Sequence, residues 1–353
     1  MEINKIYKEI DSILNNLNFN ELWEGFKKYN FALYDDEKVY FRDSEMPVDN
    51  RFLGNTAIDY NGEKIAIWKI TDKDLENLNI LASNIVHEMF HGFQFENDES
   101  RFPNDLKGLN RPFAIEYYQI KKQEGVLLVN AIKNHDIKLK FSNLEKIITL
   151  REKRLELYRD STEYDFSIET VEGTAEYVGT KALRKFDEKE YEKRIRKYME
   201  IIIDNKMLFD TRRYGYFYST LLLILMDCLN IQVSREIKNN NRTIMEDLMN
   251  IVDGRKEVEN ILGDLHLEKS LKIYQKNVIA KFEQFHNIER ENHPGNYKII
   301  GYDPMNMYKY NKEIIHIHCV NLYDKNRDKS IFIEGPVITI YNEDESMVID
   351  YLI

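Results

Sequence analysis

The sequence predicts an α+β protein with a mainly helical centre, and three observations carry that prediction. β-Branched and aromatic runs fill much of residues 31–70, apolar residues then recur at helical spacing from about 71 to 286, and short alternating runs return from Tyr297 onward. The expected division is residues 1–70 as an N-terminal helix and small β-sheet, 71–290 as a helical region, and 291–353 as a small C-terminal β domain. With 353 residues, 43% hydrophobic and 31% charged, the composition is that of a globular protein with a sizeable core. The formal net charge of −11 argues against nucleic acid and against an anionic membrane surface as partners.

Taken in order, residues 4–28 read as an amphipathic helix. Strands follow at Phe31–Tyr34, Val39–Arg42, Thr56–Tyr60 and Lys64–Ile70, the last pair flanking the hairpin signal Asn61-Gly62. Thr71 is a candidate cap for the next helix, with Asp72 and Asp74 in its first turn and apolar residues at Leu75, Leu78, Leu81, Ile85 and Met89. Beyond a polar stretch, Arg111–His135 reads as a helix with Pro112 near its start. The capping box Ser142-Asn143-Leu144-Glu145 opens another, running to about Thr162 and pairing with its predecessor as a hairpin. Helices are further expected over Tyr164–Lys185, Glu188–Asp204, Ile244–Val252 and Lys256–Phe285, and strands within Ile314–Val320 and Ser330–Ile340.

Two cysteines, Cys228 and Cys319, are too few for a disulfide framework and are expected as small buried hydrophobes. Residues 1–28 lack the apolar core of a signal peptide, and the longest apolar run, Leu221–Met226, is far too short to span a bilayer. A cytoplasmic protein is expected.

The chemistry is concentrated in His87-Glu88-Met89-Phe90-His91. Residues four apart share a helix face, so His87 and His91 can present imidazole nitrogens to one Zn²⁺ while Glu88 turns toward a water. On a later helix Glu169, Glu172 and Glu176 lie on one face, beside an apolar stripe and a glycine, Gly173, that permits close helix packing. A buried carboxylate cluster needs a compensating cation, and a metal ion supplies one. Glu172 is the expected third ligand, with Glu169 the alternative by a shift of register, and Glu176 is expected to hold a ligand histidine by its second nitrogen. Three tyrosines, Tyr214, Tyr216 and Tyr218, precede the apolar run, and a phenol near the metal suits an oxyanion. His316 and His318 alternate on one predicted strand, but no carboxylate or cysteine stands at ligand spacing with them, and no second metal site is expected.

These residues resemble the gluzincin metallopeptidases, the group that includes thermolysin and the aminopeptidase-N-like enzymes. The shared pattern is H-E-x-x-H followed on a later helix by a glutamate ligand, often within E-G-x-A, here His87-Glu88-x-x-His91 and Glu172-Gly173-Thr174-Ala175. The resemblance covers about residues 50–230 and implies a zincin-like fold, Zn²⁺ on His87, His91 and Glu172, Glu88 as general base, and a peptide or small protein as substrate. Aligning the leucines that follow the family's catalytic tyrosine with Leu221–Met226 selects Tyr216, with Tyr214 and Tyr218 as alternatives. Two departures stand out. Residues 92–171 form a long insertion between ligands, and the aminopeptidase signature G-x-M-E-N is absent from residues 1–86, so exopeptidase action is not implied. Two other readings use the same residues: a catalytically silent binding or regulatory protein on this fold, and a metal-dependent hydrolase of non-peptide amides or esters.

Overall fold

The computed structural model describes residues 3–258 and 264–353, and its architecture is mixed α+β. Helix α1 (Ile3–Asn15) buries Ile6, Ile10 and Leu14 along one stripe. It does not continue to residue 28 as expected. The chain breaks at Asn16, forms the single turn α2 (Phe19–Leu22), and reverses near Gly25, whose φ of +78° suits a residue without a Cβ.

Five strands follow: β1 (Asn30–Tyr34), β2 (Lys38–Tyr40), β3 (Glu45–Pro47), β4 (Thr56–Tyr60) and β5 (Glu63–Lys69). Their order is β3-β2-β1-β5-β4, with β1 and β5 parallel and the other pairs antiparallel, so β3 and β4 form the edges. Asn61 and Gly62 both take positive φ, 54° and 83°, as a two-residue hairpin turn requires. β3, which lies at the sheet's edge, was not expected from the sequence; it is only three residues long and carries a proline, both weak strand signals.

Helix α3 (Leu78–Glu96) packs against β5 and α1. Its cap is Asn77, whose side chain accepts from the backbone N–H groups of Asn79 and Ile80 at 3.0 and 3.2 Å. The expected cap, Thr71, instead forms a capping box with Asp74 that closes a separate 3₁₀ turn, Asp72–Glu76. Along α3, Leu81, Ile85, Val86, Met89 and Phe90 are each at most 1% exposed. Each such side chain contributes roughly 1.5–3 kcal/mol of burial, enough together to seat polar residues on the same helix.

The chain continues through α4 (Asp105–Gly108), α5 (Ile115–Lys133), α6 (Ile137–Leu157), α7 (Arg159–Phe186), α8 (Glu188–Ile203), α9 (Thr211–Cys228), α10 (Ile244–Ile251) and α11 (Leu265–His286). Two starts differ from expectation. Pro112 lies ahead of α5, and α6 is capped by Asp136, which accepts from the Lys138 N–H, so Ser142 sits within the helix and opens nothing. The expected helix Lys256–Phe285 crosses residues 259–263, which lie outside the described residues; α11 accounts for its later part.

By compactness the chain divides into two units, Met1–Pro103 with Ile120–Ile261, and Asn104–Gln119 with Leu262–Ile353. This differs from the expected boundaries at 70 and 290, because the first sheet packs with the helices that follow it and α11 packs with the C-terminal strands. In the first unit α7 is the central helix, against α3, α6, α8, α9 and α10. Glycines permit its closest approaches. A Cβ at Gly173 would lie 2.3 Å from the Ser219 Cβ on α9, and one at Gly179 would lie 2.7 Å from the Ser83 carbonyl and 3.3 Å from the His87 Cβ on α3.

The second unit is an antiparallel sheet of β6 (Tyr297–Tyr302), β7 (Met307–Tyr310), β8 (Glu313–His316), β9 (Cys319–Asp324), β10 (Lys329–Glu334), β11 (Val337–Tyr341) and β12 (Val348–Leu352), in the order β10-β9-β6-β12-β11-β8-β7. α11 sets Val278, Phe282 and Phe285 against Ile315, Ile338 and Leu352, and a separate core gathers Tyr297, Val320, Leu322 and Val337, with Leu106 of α4 packed against it. Both cysteines are free thiols, and Cys228 is exposed rather than buried, because it falls on the last turn of α9. Among the described residues no helix is long and apolar enough to cross a membrane.

Candidate metal centre

α3 presents His87 and His91 one helical turn apart, and α7 brings Glu172 and Glu176 against them. The His87 and His91 Nε2 atoms lie 3.1 Å apart, and Glu172 Oε2 lies 3.2 Å from His91 Nε2. Two donors on a tetrahedral zinc ion with bonds of about 2.0–2.1 Å would stand roughly 3.3–3.4 Å apart, so these spacings suit such an ion. His87, His91 and Glu172 are buried, and Glu176 is partly buried.

The outer nitrogens are both committed. His87 Nδ1 lies 2.9 Å from Glu176 Oε2, and His91 Nδ1 lies 2.7 Å from Gln94 Oε1. The Gln94 amide orientation follows from its other contact, since its Nε2 donates to the Val171 carbonyl at 2.9 Å, and a carbonyl can only accept. Each imidazole therefore donates from Nδ1, and in their neutral forms both Nε2 lone pairs face one point. That arrangement is unfavourable unless a cation, either a proton or a metal ion, sits between them, and the donor set fits a divalent ion of zinc's preferences.

The electrostatics agree. Burial opposes charge on His91, but the Glu172 and Glu88 carboxylates outweigh it and raise its pKa to about 9. Burial would raise the Glu172 carboxyl, yet His91 and Arg212 hold it well below the usual carboxylate range. Glu88 differs from both. Burial pushes its carboxyl up, only partly opposed by the two histidines, and the Glu172 and Glu176 carboxylates push in the same direction as burial. One atom each from His87, Glu88 and His91 lie within 4.8 Å of one another. Glu172 stands outside that closest trio, at His91 and ion-paired with Arg212, so two carboxylates approach the histidine pair from different helices.

The candidate residues sort by position. Glu169 is turned away, with Arg151 Nη1 at 2.8 and 3.0 Å from its two oxygens, which leaves Glu172 as the α7 carboxylate on the Nε2 side of the histidines. The three tyrosines and the apolar run that follows them lie on one helix, α9. Tyr216 stacks on His87, with ring centroids 5.7 Å apart at 18°, and hydrogen-bonds to Glu172. Tyr214 and Tyr218 face elsewhere: Tyr214 donates to the Lys121 carbonyl at 3.3 Å, and the Tyr218 ring lies 4.3 Å from the Arg151 guanidinium. Burial keeps the Tyr216 phenol protonated, well above its usual range.

Four contributors were not expected. Gln94 fixes His91; Tyr198 donates to Glu176; Arg194 approaches Glu176 at 3.8 Å and donates to Ser83 and Asn84 of α3 at 2.9 and 3.2 Å; Arg212 pairs with Glu172. Gln94 alone had a local signal, standing one turn beyond His91 on the same helix. His316 and His318 do not share a strand face. β8 ends at His316, which is buried beside Thr339, while His318 precedes β9 and meets Asp303 at 2.7 Å.

Compared with protein-family models, with curated proteins and with solved structures, the chain matches none.

Proposed function

We propose that the chain is a zinc-dependent hydrolase of zincin type that cleaves peptide bonds. The observation that carries this reading is the pair of inward-facing Nε2 atoms, oriented by Glu176 and Gln94, with Glu88 and Glu172 beside them. His87, His91 and Glu172 would hold the ion. When bound, the ion supplies Lewis acidity that polarises a carbonyl and brings a water's pKa down to roughly 7.

The chain's own residues do the rest. Glu88, kept proton-avid by burial, takes a proton from the attacking water and passes it to the leaving amine. Tyr216, a neutral donor held against His87, exchanges its bond to Glu172 for one to the developing oxyanion. Arg212 and Arg194 keep Glu172 and Glu176 ionised and in place. The free edge of β4, which packs beside α3, offers backbone groups to an extended peptide irrespective of its side chains.

One observation favours a second reading, a binding protein that uses the same fold without metal. Arg212 and a protonated His91 together neutralise Glu172 with no ion needed. The two readings part in a cleavage assay. A mixed peptide library followed by mass spectrometry should show zinc-dependent cleavage by the native protein. The Glu88→Gln variant should retain zinc and lose turnover by a factor of at least about 10². Equal cleavage by Glu88→Gln would rule out the assigned chemistry, and a zinc-loaded native protein inert toward every peptide would favour the binding protein.

A further inference from the structure

The second unit contains a concavity of about 530 Å³ between α4, the strands β6, β8 and β12, and the turns at Lys325 and Glu345. That is within the range of small-molecule sites, roughly 300–1,000 Å³. Its lining carries Lys107, Lys298, Lys309 and Lys325 against a single carboxylate, Glu345, in a chain whose net charge is −11. Such a reversal of sign inside a concave wall focuses a positive field on whatever enters.

The four lysines are not equivalent. Lys309 is fixed: its side chain is 11% exposed, it donates to Asn110 Oδ1 at 2.6 Å, and it pairs with Glu345. Its partner residue is set by the turn, where Glu345 takes a φ of +55° and the Asn342 side chain accepts from the Met347 N–H. Lys107, Lys298 and Lys325 are exposed and, among the described residues, have no carboxylate at ion-pair distance. Three cations without counter-ions around a fixed fourth repel one another unless an anion joins them. The lining also holds Ile314 and Val348, both buried, and the half-buried ring of Tyr341, so part of the wall is apolar.

We propose that this concavity binds a small organic phosphate, with a polyphosphate group on the lysines and a flat or apolar body on the wall. The cation type favours phosphate. Lysine ammoniums act as point charges toward multiply charged tetrahedral anions, whereas the planar fork that recognises a single carboxylate belongs to arginine, which the lining lacks. This site is independent of the metal centre and of the activity proposed for it.

The test is calorimetric titration of the full chain with adenosine diphosphate, with inorganic pyrophosphate and with adenosine. Saturable binding of the diphosphate below roughly 1 mM is expected, tighter than pyrophosphate, weakened by added salt, and absent for adenosine. The Lys298→Glu/Lys325→Glu variant should bind at least tenfold more weakly with unchanged circular dichroism, and Lys298→Ala/Lys325→Ala serves if the reversal disturbs the sheet. Because phosphates also bind metal ions, His91→Ala is the second background and should bind as the native chain does. The proposal is overturned by no saturable binding, by unchanged affinity in both lysine variants, or by loss of binding in His91→Ala. Equal affinity for pyrophosphate and the diphosphate would overturn the apolar half of it.

Discussion

Helix α7 carries two buried carboxylates three residues apart, Glu169 and Glu172, and the surroundings of the two differ in kind. Glu169 belongs to a cluster with Glu124 and Asp165 in which every carboxylate meets a buried cation. Arg151 reaches Glu124 at 2.6 Å and Glu169 at 2.8 Å, Arg154 reaches Glu124 at 2.9 Å and also Asp165, and Lys121 lies 3.1 Å from Asp165. Among the described residues three carboxylates face three permanent cations, and in that sense the cluster is closed. Glu172 belongs to a second cluster with Glu88 and Glu176, and among the described residues only Arg212 and Arg194 face it as permanent cations. The remaining compensation falls on imidazoles. A closed cluster fixes helices; an open one has room for a proton or a metal ion, and buried charge left open at this density is a mark of function.

Breaking the closed cluster gives the largest expected effect. Arg154→Leu removes the cation that Glu124 and Asp165 share and leaves three buried carboxylates facing Arg151 and Lys121, and denaturant unfolding should show a loss of about 3–5 kcal/mol. Such a protein, where still folded, should keep its metal affinity, since Glu124 and Asp165, the partners described for Arg154, are not candidate ligands. Equal loss of stability and of metal affinity would show that the two clusters act as one.

Gln94→Leu sharpens the contrast from the other side. It frees His91 Nδ1 and unties α3 from the Val171 carbonyl, and competition with a chelating dye should report a 10–100-fold weaker zinc affinity. An unchanged affinity would mean that the inward tautomer of His91 does not depend on Gln94.

The smallest expected effect is on pH. In the ion-free protein His91 has a pKa of about 9 against an ordinary 6.5, so its charged form stabilises the fold. That contribution is complete below about pH 6.5 and is lost as pH rises through about 9. Thermal unfolding in chelator should therefore fall in temperature across that window, and zinc, which replaces the proton, should flatten the fall. The same linkage predicts proton release on zinc binding at neutral pH, measurable by calorimetry in buffers of different ionisation enthalpy; binding with no proton release would contradict the raised His91 pKa.

What the sequence revealed follows the range of the interactions involved. The Asn61-Gly62 hairpin and the His87–His91 spacing are local, and the structure has the turn and the helix that they predict. The helix starts at Thr71 and Ser142 were misplaced because a capping sequence is a local possibility that a stronger neighbour can override. Asn77 and Asp136 cap the real starts. Arg212, Arg194 and Tyr198 were invisible because they come from other helices, and nothing in their neighbourhoods marks them. The choice between Glu169 and Glu172 could not be made from their shared face. It depends on Arg151, eighteen residues from Glu169 and on a different helix.

The most direct measurement is the metal content of the purified protein beside its Glu172→Ala and Glu169→Ala variants. If the open cluster is the metal centre, the native chain carries about one zinc ion, Glu172→Ala loses it or binds it much more weakly, and Glu169→Ala, where folded, retains it. No zinc in the native protein after zinc has been supplied, or full zinc in Glu172→Ala, would contradict the account.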